Sequence, residues 1–156
     1  MRELAEALGG VLRAGDVILF QGEMGAGKTT FTRAVATGMG VERPESVCSP
    51  TYTIAMTHPG RVGLVHLDLF RFGEMSGEQA VSSASFESLG LAYDELPPPG
   101  SALVVEWSEL WADPPSEALR VELRLEANDS SRRGVRVTPL GARGRALLEG
   151  WLGALG

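Results

Sequence analysis

The segment 22–29 restricts the fold of this chain more than any other feature. It reads Gly-Glu-Met-Gly-Ala-Gly-Lys-Thr and matches the pattern G-x-x-x-x-G-K-[ST] in full. The apolar run 17–20 precedes it, and apolar residues recur at helical spacing between 31 and 39 after it. A glycine-rich loop between a buried strand and a helix is typical of phosphate-binding sites in α/β sheets. The sequence therefore predicts a loop that binds the phosphates of a nucleotide.

The residue types in this loop fit phosphate binding. Gly25 and Gly27 have no Cβ, so backbone N–H groups can close on an anion. These amides and the positive end of the following helix form the anion site. Lys28 is expected to bridge the outer phosphates, and the Thr29 hydroxyl is expected to ligate Mg²⁺. The predicted ATP-binding residues are Gly25, Ala26, Gly27, Lys28, Thr29 and Thr30.

The distribution of basic residues excludes one class of nucleotide-binding protein. Of the 14 lysines and arginines, Lys28 is the only lysine. The Asn-Lys-x-Asp element that reads guanine therefore cannot be present, and no Asp-x-x-Gly occurs, which argues against a GTPase. A P-loop kinase for a small-molecule acceptor remains the alternative to an ATPase. Such a kinase needs an arginine-bearing lid, and the stretch 74–94, where a lid would sit, contains no arginine.

Composition limits the remaining possibilities. The chain has 156 residues, 44% of them hydrophobic, so we expect a single P-loop ATPase domain over 1–156 with a real core. The formal net charge of −6 disfavours direct binding to DNA or RNA. Cys48 is the only cysteine, and no apolar stretch reaches the length of a membrane span. We therefore expect a cytoplasmic location without membrane attachment.

The pattern along the chain predicts an α/β fold with a central mixed sheet, flanking helices and antiparallel hairpins. Apolar periodicity and turn signals set the expected elements. Helices are expected over 2–13, from the loop to about 38–40, over 74–94 and over 142–155. Strands are expected over 17–20, 51–57, 62–70, 102–106, 118–127 and 134–139.

Two acids stand at the ends of apolar strands, where a P-loop enzyme needs a partner for its metal. Glu106 directly follows an apolar run, and Asp68 lies in an alternating segment that places it on one face with His66 and Phe70. We assign Glu106 to Mg²⁺ and Asp68 to the attacking water. The residues alone leave the exchanged assignment open. His66 is expected to be a hydrogen-bonded structural histidine.

Three further residues are candidates for the site. Thr51 lies one helix and a loop beyond the phosphate-binding loop, where many NTPases place a segment that senses the γ-phosphate. It is therefore a candidate catalytic residue. Arg132 and Arg133 are expected on the turn of the last hairpin, as exposed residues that can contact nucleotide or a partner. Trp107, next to Glu106, belongs either to the core or to the cover of the site.

Four motifs in one order resemble a known family, TsaE (formerly YjeE), the ATPase of bacterial tRNA threonylcarbamoyladenosine biosynthesis. The segment 22–31 resembles its GDLGAGKTTF-type loop, and 49–53 matches its SPTYT segment. The segment 66–71 is similar to its HxDxYR element, with Phe70 for the usual Tyr. The segment 105–107 matches its VEW element, although Ser108 replaces the usual Pro.

The resemblance implies roles and partners. By it, Thr29 and Glu106 ligate Mg²⁺, residues 25–30 hold the phosphates of ATP, and Asp68 is needed for hydrolysis. It also implies that the protein acts with TsaD, a transferase, and its inactive paralogue TsaB. Turnover of ATP would then support formation of threonylcarbamoyladenosine at position 37 of tRNAs that read ANN codons. The tRNA would be held mainly by the partners, which agrees with the acidic composition.

Overall fold

A computed structural model describes residues 1–48, 54–77, 79–87, 90, 93–127 and 129–156. It contains one mixed sheet, and the strand order across it is β2-β3-β4-β1-β5-β6. Its strands are β1 Val17–Gln21, β2 Ala55–His58, β3 Gly63–Asp68, β4 Ser101–Glu106, β5 Ala118–Glu126 and β6 Asp129–Leu140. The four central strands run parallel, and the two edge strands pair antiparallel with their neighbours. The α/β class and the hairpins predicted at both edges are confirmed.

Two layers cover the sheet. The helices of the described residues are α1 Arg2–Val11, α2 Lys28–Gly38, α3 Leu69–Ser76, α4 Ser83–Glu87 and α5 Gly141–Ala154. The helices α1, α2 and α5 bury one face of the sheet, through residues such as Leu8, Phe31 and Trp151. The other face is covered by α3, α4 and the loop around Trp111; Phe72 of α3 packs there against Phe86 of α4. None of the described helices is both long and apolar enough to cross a bilayer.

Two glycines allow α1 and α2 to cross at close range. A Cβ added to Gly9 would lie 2.0 Å from the Val35 carbonyl oxygen, and one added to Gly38 would lie 2.0 Å from that of Glu6. Each helix therefore places a glycine against the backbone of the other. This contact fixes the position of α2, whose first turn continues the phosphate-binding loop.

Two predicted elements differ from the structure. The strand expected over 62–70 ends at Asp68, because the Asp68 carboxylate accepts the backbone N–H groups of Phe70 and Arg71 and caps α3. Phe70 is therefore helical. The prediction from the alternating pattern, that Phe70 shares a strand face with Asp68, was wrong.

The helix expected over 74–94 was also wrong. In its described part, α3 ends before Gly77, whose φ of 74° is left-handed. Val81 then forms a β-bridge with Trp111, and the short α4 follows. The expected strand over 51–57 is described only from residue 54 onward.

The last hairpin is longer than the alternation indicated. Strand β6 begins at Asp129, opposite Glu126, after a register shift at 125–126. Arg132 and Arg133 therefore lie within β6, and the prediction that they occupy the turn was wrong. The cause is the bulge, which lets pairing continue almost to the tip of the hairpin.

Candidate nucleotide site

The glycine-rich loop turns sharply at the carboxyl end of β1. Gly25 and Gly27 have φ values of 80° and 102°, in the left-handed region that favours glycine. Gly22 has a φ of 140°, and a Cβ there would lie 2.4 Å from the Leu123 carbonyl oxygen. Helix α2 begins directly after Gly27, at Lys28. The loop therefore presents backbone amides and a helix N-terminus to the same space.

Lys28 is held inside this loop. Its Nζ donates hydrogen bonds to the carbonyl oxygens of Gly22 and Glu23, the latter at 2.9 Å. The same nitrogen lies 3.8 Å from the centre of the Trp107 ring. Burial lowers the pKa of the Lys28 ammonium, and the neighbouring carboxylates, Glu109 foremost, act in the opposite direction. The ammonium thus already lies where phosphates would reach it.

Trp107 is half-buried: it packs against one of the two core clusters and also lines the cleft at the loop. Its φ of 59° is left-handed, which is rare for a bulky residue, and its ring also packs on Phe70 at a centroid distance of 5.0 Å. The sequence left the choice between core and cover open. In the structure Trp107 does both, because it packs against the core and its ring lies over Lys28.

Glu106 meets the first turn of α2 at the end of β4. The Thr29 hydroxyl donates to Glu106 Oε2 at 2.8 Å, and Nε2 of His66 lies 2.9 Å from Glu106 Oε1. Thr32 Oγ1 lies 3.3 Å from the same Oε1. Glu106 is 1% exposed and His66 is completely buried. The two residues predicted to ligate Mg²⁺, Thr29 and Glu106, are therefore in direct contact.

Asp68 lies beside Glu106 because β3 and β4 pair in parallel with these two residues in register. It is 2% exposed, and one of its oxygens caps α3. Its place at the cleft agrees with the prediction that the two strand-end acids share one site.

The remaining candidates fall in different places. Arg133 Nε donates to the carbonyl oxygen of Ala26 at 3.1 Å, so β6 supports the phosphate-binding loop from outside. Arg132 is 78% exposed at its side chain and lies near Asp129 instead. Thr51, the candidate γ-phosphate sensor, lies outside the described residues.

A cleft of about 350 Å³ connects these groups. It is lined by Met24, Gly25, Gly27, Lys28, Thr29, Thr30, Asp68, Phe70, Arg71, Glu106 and Trp107. A second cleft of about 350 Å³ adjoins it at Thr30 and continues along α2 past Phe31 and Ala34 to Pro44. Phe70 and Arg71 line the first cleft from the first turn of α3. The sequence analysis did not predict this helix start, because it expected a strand over 62–70.

The residues at this cleft fit Mg²⁺ bound together with a nucleotide. Thr29 and Glu106 offer one hydroxyl and one carboxylate, which are the hard oxygen ligands that this ion prefers. Magnesium usually takes only one or two carboxylates from the protein and completes its shell with water and substrate phosphates. The contact between Thr29 and Glu106 therefore provides a fitting pair of protein ligands.

The mixed sheet with its parallel centre, the glycine-rich loop after β1 and the acids that end β3 and β4 define a P-loop NTPase fold. The crystal structure of Bacillus subtilis YdiB has the same fold, with a TM-score of 0.72, 24% identity, and coverage of 99% of this chain and 88% of that one. Within this class the chain belongs to the TsaE family. The family model "Threonylcarbamoyl adenosine biosynthesis protein TsaE" matches residues 1–135.

Curated relatives agree with this assignment. A protein of Streptomyces coelicolor is 38% identical over 149 residues, covering 92% of this chain and 93% of the relative. Similar proteins occur in Aquifex aeolicus, with 33% identity and 86% of each chain covered, and in Bacillus subtilis, with 33% identity, 95% of this chain and 85% of the relative. All three are named tRNA threonylcarbamoyladenosine biosynthesis protein TsaE.

Proposed function

We propose that this protein is a Mg²⁺-dependent ATPase that supports formation of threonylcarbamoyladenosine in tRNA, together with TsaD and TsaB. The names of its relatives support the place in tRNA modification. The contact of 2.8 Å between Thr29 and Glu106 carries the ATPase assignment, because it joins a hydroxyl and a carboxylate beside a phosphate-binding loop. Such a pair serves the metal of a bound nucleoside triphosphate.

The loop and Lys28 bind the phosphates in this proposal. Amides of the loop and the first turn of α2 surround the phosphate oxygens, and Lys28 exchanges the carbonyls of Gly22 and Glu23 for the outer phosphates. Bound Mg²⁺ supplies positive charge at the phosphate oxygens. The Thr29 hydroxyl and the Glu106 carboxylate would hold this ion.

Asp68 orients the attacking water. Its carboxylate lies in register with Glu106 across the β3–β4 pair, so both acids face the same cleft. One oxygen is fixed by the amide of Phe70 at 3.0 Å, which holds the carboxylate in one orientation. An oriented carboxylate can accept a hydrogen bond from water and direct it in line with the bond to be broken.

The second cleft offers a place for the nucleobase. It adjoins the phosphate site at Thr30, and its lining along α2 is largely apolar around Phe31 and Ala34. A flat aromatic base gains free energy from such a surface. We propose that adenine lies there, between α2 and the turn at Pro44–Ser46.

The partners hold the tRNA in this proposal. A chain with a net charge of −6 is poorly suited to grip a phosphate backbone alone. Nucleotide-dependent changes at the cleft would act on TsaD and TsaB, and through them on the tRNA, in the cytoplasm.

The decisive experiment compares ATP hydrolysis by wild type and Glu106→Ala, alone and with the TsaB–TsaD pair of the same organism. We expect slow Mg²⁺-dependent turnover by the isolated protein, a higher rate with the pair, and loss of turnover in the variant with residual nucleotide binding. Release of inorganic phosphate without a phosphorylated acceptor separates an ATPase from a kinase. Unchanged turnover in Glu106→Ala refutes the metal assignment, and an absence of association with the pair refutes the proposed partners.

Depletion of the protein in its own cells tests the pathway independently. Mass spectrometry of bulk tRNA should then show loss of threonylcarbamoyladenosine. A normal level of the modified nucleoside after depletion would contradict the proposed role, whatever the enzyme does in vitro.

A further inference from the structure

His66 makes a contact that the proposed reaction does not yet use. It is completely buried in β3, and its Nε2 lies 2.9 Å from Oε1 of Glu106 on the neighbouring strand. The register that pairs His66 with Val104 brings the imidazole beside the carboxylate two residues further along β4. The contact therefore follows from the sheet itself.

The two oxygens of Glu106 have different surroundings. Oε2 faces the Thr29 hydroxyl at the cleft, whereas Oε1 points into the protein toward His66 and Thr32. Thr32 has a single hydroxyl proton, and the Lys28 carbonyl oxygen at 2.9 Å is nearer to it than Oε1 at 3.3 Å. The contact of Oε1 with His66 is therefore shorter than its contact with Thr32, whose proton has a nearer acceptor.

The other ring nitrogen fixes the direction of this hydrogen bond. Nδ1 of His66 is buried and has no hydrogen-bond partner among the described residues. A proton there would be a buried donor without an acceptor, which costs free energy. The tautomer with its proton on Nε2 avoids this cost and donates to Glu106.

We propose that His66 is a positioning residue that orients the Glu106 carboxylate for Mg²⁺, with Thr32 as a weaker second support. This inference rests on the proposed function, because it concerns the same metal. A hydrogen bond to a carboxylate that holds a metal fixes its rotation, and removal of such a partner typically lowers metal affinity about 10–100-fold. His66 itself touches neither nucleotide nor reacting atoms.

The experiment measures metal affinity directly. Mn²⁺ serves as a paramagnetic substitute for Mg²⁺, and electron paramagnetic resonance counts the free ion during titration in the presence of a non-hydrolysable ATP analogue. For His66→Leu we expect the Mn²⁺ dissociation constant to rise about 10–100-fold. Binding of the analogue in EDTA, measured by calorimetry, should stay at the wild-type level, because the loop and Lys28 are untouched.

Two variants complete the design. In His66→Gln the side-chain amide nitrogen can take the position of Nε2, so this variant should retain most of the Mn²⁺ affinity. His58→Leu is the matched control, since His58 is also buried in the same sheet and its Nδ1 lies 3.5 Å from the Ser46 hydroxyl. It should bind Mn²⁺ as wild type does.

The possible results distinguish a failure of the positioning role of His66 from a failure of the proposed ATPase function. If wild type binds no Mn²⁺ with the analogue, the proposed function fails. If wild type binds it and His66→Leu binds it equally well, only the positioning role is overturned. Should His66→Leu fail to fold, His66→Asn replaces it, because its shorter amide does not reach Glu106. Equal Mn²⁺ affinity in the Gln and Asn variants would then overturn the inference.

Discussion

The crossing of α1 and α2 predicts opposite effects for the same substitution at two adjacent glycines. Both Gly9 and Gly10 lie in α1, where alanine normally stabilises a helix by up to about 1 kcal/mol relative to glycine. A Cβ at Gly10 has no other atom within 4 Å. A Cβ at Gly9 would lie 2.0 Å from the Val35 carbonyl oxygen, roughly 1.5 Å short of ordinary contact. Only the substitution of Gly9 requires the two helices to separate.

The size of the effect follows from these distances. Gly10→Ala should raise the free energy of unfolding by about 0.5–1 kcal/mol. Gly9→Ala gains the same propensity but forces a backbone contact apart, and overpacking of this kind costs about 1–3 kcal/mol. Because the obstructing atoms are backbone, we expect the upper end, and a net loss of about 2 kcal/mol. For a chain of this length, 1 kcal/mol corresponds to about 2–4 °C in Tm.

Urea denaturation and calorimetry of the two variants test this reasoning. Gly10→Ala should melt above wild type and Gly9→Ala below it. Since α2 carries Lys28 and Thr29 in its first turn, displacement of α2 should also weaken binding of Mg²⁺-ATP by Gly9→Ala and leave Gly10→Ala unaffected. If Gly9→Ala is as stable as Gly10→Ala, the helices do not cross as closely as the structure has it.

Three other substitutions give further predictions. Asp68→Asn should keep the cap of α3 and wild-type stability but lose hydrolysis, whereas Asp68→Ala should also lose about 1 kcal/mol on urea denaturation; hydrolysis by the Asn variant at the wild-type rate would contradict the role of the charge. Burial lowers the pKa of His58, so its unfolded form binds protons more readily, and stability should fall as pH drops below about 6.5. Denaturation of His58→Gln should show a weaker fall between about pH 7 and 5, and an equally steep one would exclude His58 as its cause. Trp151→Phe removes the indole N–H that donates to the Leu4 carbonyl at 2.9 Å, and should cost about 1–2 kcal/mol of unfolding free energy; no change in Tm would show that this bond contributes little.

The candidate nucleotide site was predictable where its sequence signals are local. The loop, its glycines and Lys28 occur in one short segment, and the strand and helix around it follow from apolar spacing. Asp68 and Glu106 were both assigned to one site from the sequence, because a phosphate-binding loop needs acidic partners for its metal. The parallel pairing of β3 with β4 that brings them together is seen only in the structure.

Other parts of the site depend on contacts that the sequence does not encode locally. Arg133 reaches Ala26 across 107 positions of the chain, and only the register of β5 and β6, with its bulge, brings them together. The start of α3 was missed because the alternating pattern up to Phe70 fits a strand. The Asp68 carboxylate stops that strand by binding the next amides. Competition between a cap and a strand is decided by tertiary packing.

The uninterrupted pairing of β3 with β4, from Gly63 opposite Ser101 to Asp68 opposite Glu106, uncouples the chemistry from the chain that connects the two strands. The separation of the two acids is set by the ladder and not by residues 69–100. Insertions, deletions or exchanged sequences there can therefore change the outer surface while Asp68 and Glu106 keep their spacing. A slip of the ladder by a single residue, in contrast, would turn one acid away from the other.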